Sequence, residues 1–187
     1  MRAVLASQNR NKLQELSAAL PGWELEPLDA IGWPEETGAT YEENARLKAL
    51  FGRDHAPDAW AIGEDSGIEA AALGGAPGIR SARWAPGDQA DALLARLGGE
   101  RDRRARMVTV LVALSPDGDE LRGEGVLEGT IADARRGAAG FGYDPIFVPA
   151  GFTETVAELG EEWKARHSHR ARAATALAAA LARERRS

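Results

Sequence analysis

Glu64 and Asp65 stand side by side in Glu64-Asp65-Ser66-Gly67, directly after the apolar run Ala59-Trp60-Ala61-Ile62-Gly63. Two adjacent carboxylates at the end of a buried strand are costly unless a cation compensates them. Magnesium is such a cation, a hard ion that takes carboxylate oxygen and water. An exposed turn after the strand accounts for the same pair equally well. A serine nucleophile does not, because the G-x-S-x-G elbow is missing around Ser66.

The cations are just as unevenly chosen. Of 23 lysines and arginines, only Lys12, Lys48 and Lys164 are lysine, and the other 20 are arginine. Either chance put them there, or the few lysines mark places where a compact, mobile ammonium matters. Asparagine is equally scarce: Asn9, Asn11 and Asn44 each lie near one of those lysines.

Four further segments carry chemistry-bearing side chains. Ser7-Gln8-Asn9-Arg10-Asn11-Lys12 joins a strand end to a helix start, where backbone N–H groups and the helix dipole favour an anion. It is not a Walker loop, and spacing alone favours a plain βα turn. Glu35 and Glu36 precede a helix without a capping role, while Asn44 and Lys48 are four apart and share one helix face. In Gly140-Phe141-Gly142-Tyr143-Asp144-Pro145, glycines flank an aromatic that can stack on a base or fill a core. His167 and His169, two apart, do not face each other on a helix, so a di-histidine metal pair is disfavoured.

The elements that must position these residues follow from periodicity. Arg2–Ala6 reads as a short buried strand. Leu13, Leu16 and Leu20 then mark one helix face, stopped by Pro21-Gly22. Trp23–Leu28 alternates as a half-buried strand. Thr40 and Glu43 form a T-x-x-E cap for a helix to about Gly52. The strand 59–63 follows, and residues 68–73 have a pattern that can continue it extended. Asp88 caps a helix to Leu97, and Met107–Leu114 with Leu121–Ala132 forms a long hairpin across Ser115-Pro116-Asp117-Gly118. Ser168 caps the last helix, whose terminal arginines suit its dipole. Strand–helix alternation followed by a hairpin predicts an α/β fold with a mixed sheet.

Composition narrows the function classes. The chain has 187 residues, enough for one domain (1–187) or two closely packed lobes. With 44% hydrophobic and 28% charged residues it should fold. A net charge of −6 disfavours a nucleic-acid coat protein, though a few local cations can still hold a small anion. The absence of cysteine excludes disulfides, thiolate catalysis and cysteine-ligated zinc. No run approaches the ~20 apolar residues of a membrane span, and the expected location is cytoplasmic.

Taken in order, the motifs resemble the inosine triphosphate pyrophosphatase family, pyrophosphatases of non-canonical purine nucleoside triphosphates. The likeness rests on residues 7–12; Glu36-Thr37-Gly38-Ala39-Thr40 with Glu43-Asn44-Ala45 and Lys48-Ala49; and Glu64-Asp65-Ser66-Gly67. It continues through Leu73–Ile79 with Ser81-Ala82-Arg83, then residues 140–147, and Ser168-His169-Arg170. Four positions depart from the family pattern: Ser7-Gln8 stands where the family usually has Thr-Gly, Asn11 replaces a common glycine, and Glu64 stands where many bacterial members carry aspartate.

The resemblance implies an elongated two-lobed α/β fold around a mixed sheet, with a cleft between the lobes, and a homodimer. It implies hydrolysis of ITP, dITP and XTP to the monophosphate and diphosphate. Glu36, Glu64 and Asp65 would hold magnesium, with Asp65 also the general base. Ser7, Gln8, Asn9, Arg10, Asn11, Lys12 and Lys48 would bind the triphosphate, and Ser66 would touch the substrate. Phe141 would stack on the base beside Gly142, Tyr143 and Asp144. Lys164, His169 and Arg170 would donate towards the 6-oxo group. The alternatives are a Maf-like pyrophosphatase with another base preference and a non-catalytic nucleotide-binding module. Neither nucleic acid nor membrane is an expected partner.

Overall fold

The computed structural model describes residues 1–186. Six strands, β1 (Arg2–Ala6), β2 (Glu24–Pro27), β3 (Trp60–Ala70), β4 (Arg104–Leu114), β5 (Glu120–Ile131) and β6 (Phe147–Pro149), hydrogen-bond in the order β2-β1-β3-β4-β5-β6. β1 is parallel to β2 and β3, and β6 is antiparallel to β5, so the sheet is mixed as expected. Among the described residues five α-helices accompany it: α1 (Arg10–Ala19), α2 (Tyr41–His55), α3 (Gln89–Arg96), α4 (Val156–His167) and α5 (His169–Glu184). Among the described residues no helix is long and apolar enough to cross a membrane.

The described chain divides into two compact units. The first holds Met1–Asp65, Thr109–Gly125 and the chain from His169 on, and the second holds Ser66–Val108 and Val126–Ser168.

In the first unit, apolar side chains cover both faces of the sheet. Leu16 of α1, Leu20 at its C-terminal cap, and Ala173, Ala174, Leu177 and Leu181 of α5 pack with Leu5, Ile62 and Leu111. Opposite, Ala45 and Ala49 of α2 pack with Val110, Val112 and Leu114. α2 lies close to β3 because residue 63 is glycine: a Cβ there would stand 1.9 Å from the Ala45 carbonyl oxygen. The second unit has its own core, in which Leu93 and Leu97 meet Ile68, Met107, Leu127, Ile146 and Phe147.

Three departures from the periodicity reading bear on the residues singled out there. α1 begins at Arg10, because the Asn9 side chain accepts from the Asn11 and Lys12 N–H groups and caps the helix. Asn11 and Lys12 therefore lie in its first turn and not in a loop. β3 runs unbroken to Ala70, so Glu64 and Asp65 sit mid-strand and not at its end. α4 was not anticipated, although Thr155 and Glu158 repeat the T-x-x-E pattern that marks α2 and close a reciprocal capping box. Gly160 interrupts α4 at φ 81°, ψ 177°.

Candidate active site

Strand alternation decides the fate of the two adjacent carboxylates. Successive side chains of a strand point to opposite faces. Asp65 follows the glycine at 63 towards α2, and Glu64 points the other way, towards α1 and α5.

On the α2 face, the Lys48 ammonium donates to Asp65 Oδ1 and to the Glu64 carbonyl, each at 2.9 Å, and pairs with Glu36. Asn44 Nδ2 donates to Asp65 Oδ2 at 3.3 Å. Asp65 is only 4% exposed and Lys48 8%. Burial pushes the Asp65 carboxyl above its ordinary value, and Lys48 offsets only part of that. Burial also opposes charge on Lys48, but Asp65, Glu64 and Glu36 together hold its ammonium above the ordinary lysine value. A buried carboxylate of raised basicity is suited to taking a proton from water.

On the α1 and α5 face, Lys12 Nζ donates to Glu64 Oε2 at 2.6 Å, and Arg170 Nε donates to Glu64 Oε1 at 3.0 Å. Arg170 Nη1 also donates to Glu15 Oε2 at 2.6 Å. Burial disfavours the Glu64 anion, but Lys12, Arg170 and Lys48 outweigh it and hold the carboxyl far below the usual carboxylate range.

The rest of the expected phosphate loop is open. Gln8, Asn9, Arg10 and Asn11 are exposed and Ser7 is half-buried. Ser7 Oγ accepts from the Asn9 N–H, tightening the turn. A cavity of about 220 Å³ adjoins it, walled by Ser7–Arg10 and by Leu28, Asp29 and Trp33.

In the second unit, Asp144 organises the glycine-rich segment. Its Oδ2 accepts from the Phe141 N–H at 2.8 Å and from the buried Lys164 ammonium, which lies 4.3 Å from the Phe141 ring centre. Phe141 is half-buried and Gly142 exposed. Tyr143 is turned inward: its hydroxyl donates to the Ser81 carbonyl, and burial pushes its phenol up to about 12. Ser66, the residue after Asp65, is half-buried.

The structure therefore brings Glu36, Lys48 and Asp65 together and gathers Lys12, Glu64 and Arg170 separately. Arg170, expected to donate towards a base, here donates to Glu64 and Glu15. His169 and Arg170 open α5 and are both buried. Among the described residues no group of three Asp, Glu or His side chains is gathered around one point. Sequence reasoning passed over Glu15 and left Asn44 without a role. Both carried a helical signal, three residues after Lys12 and four before Lys48.

A mixed-sheet α/β protein with paired carboxylates and lysines set on a strand, a loop and two helices is the class so defined. The Ham1 family model matches residues 3–180, and the chain belongs to that family. It is 45% identical to a dITP/XTP pyrophosphatase of Deinococcus radiodurans over 96% of this chain and 92% of the relative. It is 46% identical to one of Thermus thermophilus over 95% and 90%. Its fold is similar to a HAM1 protein from Coxiella burnetii (TM-score 0.85, 35% identity, 98% and 99% covered). It is also similar to the Staphylococcus aureus Ham1 protein (TM-score 0.82, 37% identity, 98% and 100% covered). The resemblance read from the motifs is borne out.

Proposed function

We propose that this chain hydrolyses the non-canonical purine nucleoside triphosphates dITP, XTP and ITP to the monophosphate and diphosphate. The observation that carries the reading is the Lys48-bridged pair of Glu36 and Asp65, in a chain 45% identical to a dITP/XTP pyrophosphatase.

The donor set suits magnesium, which is held by one or two carboxylates together with substrate phosphates. Glu36 and Asp65 already converge on one cation. Burial holds the Asp65 carboxyl above its ordinary value with Lys48 beside it, whereas Glu64 is held far below the usual range by the cations around it. Magnesium is therefore assigned to Glu36 and Asp65. Glu64, with a cation on each oxygen, is left out. Bound there, the ion would neutralise phosphate charge and lower the pKa of a coordinated water.

Asp65 takes the proton of the water that attacks the α-phosphorus, and diphosphate departs. Lys12 and Lys48 turn from their carboxylates to the triphosphate, with exposed donors from Gln8 to Asn11 beside Lys12. Phe141 takes the purine face, and Lys164, held by Asp144 against that ring, supplies donors for a 6-oxo acceptor. Adenine's 6-amino group offers a second donor in place of the acceptor, at a cost of ~1–3 kcal/mol per unpaired group. A homodimer in the cytoplasm belongs to the same reading, and sedimentation would test the dimer.

Diphosphate release with magnesium across ITP, XTP, dITP, GTP, ATP and dUTP tests the assignment. Preference for the deaminated purines over ATP supports it. ATP turnover equal to ITP, or preference for dUTP, contradicts it.

A further inference from the structure

Asn44 has no exposed surface and sits on α2 one turn before Lys48. Its two amide ends face different elements. Oδ1 accepts from the Gly38 N–H at 2.8 Å, on the loop that carries Glu36, and Nδ2 donates to Asp65 Oδ2 at 3.3 Å, on β3. The orientation is determined. Turned over, the amide would set Nδ2 against the Gly38 N–H and Oδ1 against the Asp65 carboxylate, donor on donor and acceptor on acceptor. Residue 38 is correspondingly a glycine, because a Cβ would stand 2.7 Å from Asn44 Oδ1. The amide thus ties together the two segments that bring Glu36 and Asp65 to Lys48. It also fixes one Asp65 oxygen while Lys48 holds the other.

We propose that Asn44 is a positioning residue for Asp65, setting the plane of its carboxylate and locking the Glu36 loop to it through Gly38. The proposal rests on the functional reading above for its catalytic consequence but not for its geometry. With that carboxylate free to rotate, the protein still binds substrate through Lys12 and the rest of the site. It less often presents the right oxygen to water. The defect therefore belongs in kcat.

Two arms test it. The first needs no substrate: NMR exchange of the Gly38 backbone amide and the Asn44 side-chain amide in the whole protein. Both are slowed in the wild type, and Gly38 exchange quickens in Asn44→Ala. Fast exchange of either group in the wild type, or unchanged Gly38 exchange in Asn44→Ala, overturns the lock. The second arm is steady-state kinetics on ITP with Asn44→Ala, Asn44→Asp and Gly38→Ala, the last displacing the contact from the loop side should the buried substitutions fail to fold. The expected result is kcat lower by ~10- to 10²-fold, most in Asn44→Asp, with KM within about threefold. Unchanged kcat, or a loss confined to KM, overturns the positioning role. A wild type that releases no diphosphate from any nucleotide sinks the functional reading instead, and the exchange arm still decides the lock.

Discussion

The two faces of β3 around residues 64 and 65 are built from the same kinds of side chain to opposite ends. Glu64 is fully buried, with Lys12 on one oxygen and Arg170 on the other, and Glu15 holds Arg170 in turn. Its acidity is strengthened, so the ion pairs support the folded state. Asp65, one residue later, shares a single ammonium with Glu36, and its carboxyl is pushed towards the neutral form. One face is a satisfied buried network. On the other, Lys48 offsets only part of the burial of Asp65, which carries a cost in the free protein, as a site that awaits a cation and an anionic substrate would.

The largest expected effect separates the faces by stability. Glu64→Gln leaves Lys12 and Arg170 facing a neutral amide inside the protein. Removing one partner of such a buried pair should cost about 3–5 kcal/mol in urea unfolding. The pH dependence has the matching sign. The folded-state pKa of Glu64 is depressed, so its contribution is present above the ordinary value of 4.5 and is lost as pH falls well below it. The folded-state pKa of Asp65 is raised, so its contribution runs the other way, present below 3.8 and lost as pH rises through the raised value. Asp65→Asn, unfolded in the presence of a chelator, should therefore be as stable as the wild type or slightly more so. A loss above about 2 kcal/mol would erase the distinction.

A smaller contrast concerns metal demand. Glu36→Gln should raise the magnesium concentration needed for half-maximal diphosphate release by ~10-fold or more. Folded Glu64→Gln should leave that concentration unchanged. Equal shifts in both would return Glu64 to the metal set.

Burial itself is checked at the surface, where Arg46 of α2 pairs with Glu42 and Glu120 while over a third exposed. Arg46→Ala should cost no more than about 1 kcal/mol. A loss comparable to Glu64→Gln would mean that burial is not what distinguishes the Glu64 network. The smallest effect is invisible at neutral pH. Tyr143 should ionise only near pH 12, leaving its contribution intact below 10 and lost towards 12. Ultraviolet titration of the wild type against Tyr143→Phe would show the missing late component.

Much of this was legible in the sequence because local chemistry agreed with the fold. The strand Arg2–Ala6, the Thr40 cap and the Asp88 cap all stand where hydrophobic pattern and capping residues place them. Residues 64 and 65 were legible as important but not as separate. Adjacency in sequence reads as one acidic pair, and only the continuation of β3 through Ser66 and Gly67 turns it into two environments. Arg170 was legible as a donor but not its partner, because Glu15 lies 155 residues away. Pairings of that separation are made by packing α1 against α5, and no local pattern encodes them.

If Asp65 spends stability on catalysis and Glu64 does not, Asp65→Asn separates the two. Diphosphate release from ITP and thermal unfolding should be measured on the same preparation. The expected result is turnover at least ~10²-fold below wild type with the melting transition retained. Near-normal turnover by the folded variant would contradict the assignment of the reaction to Asp65.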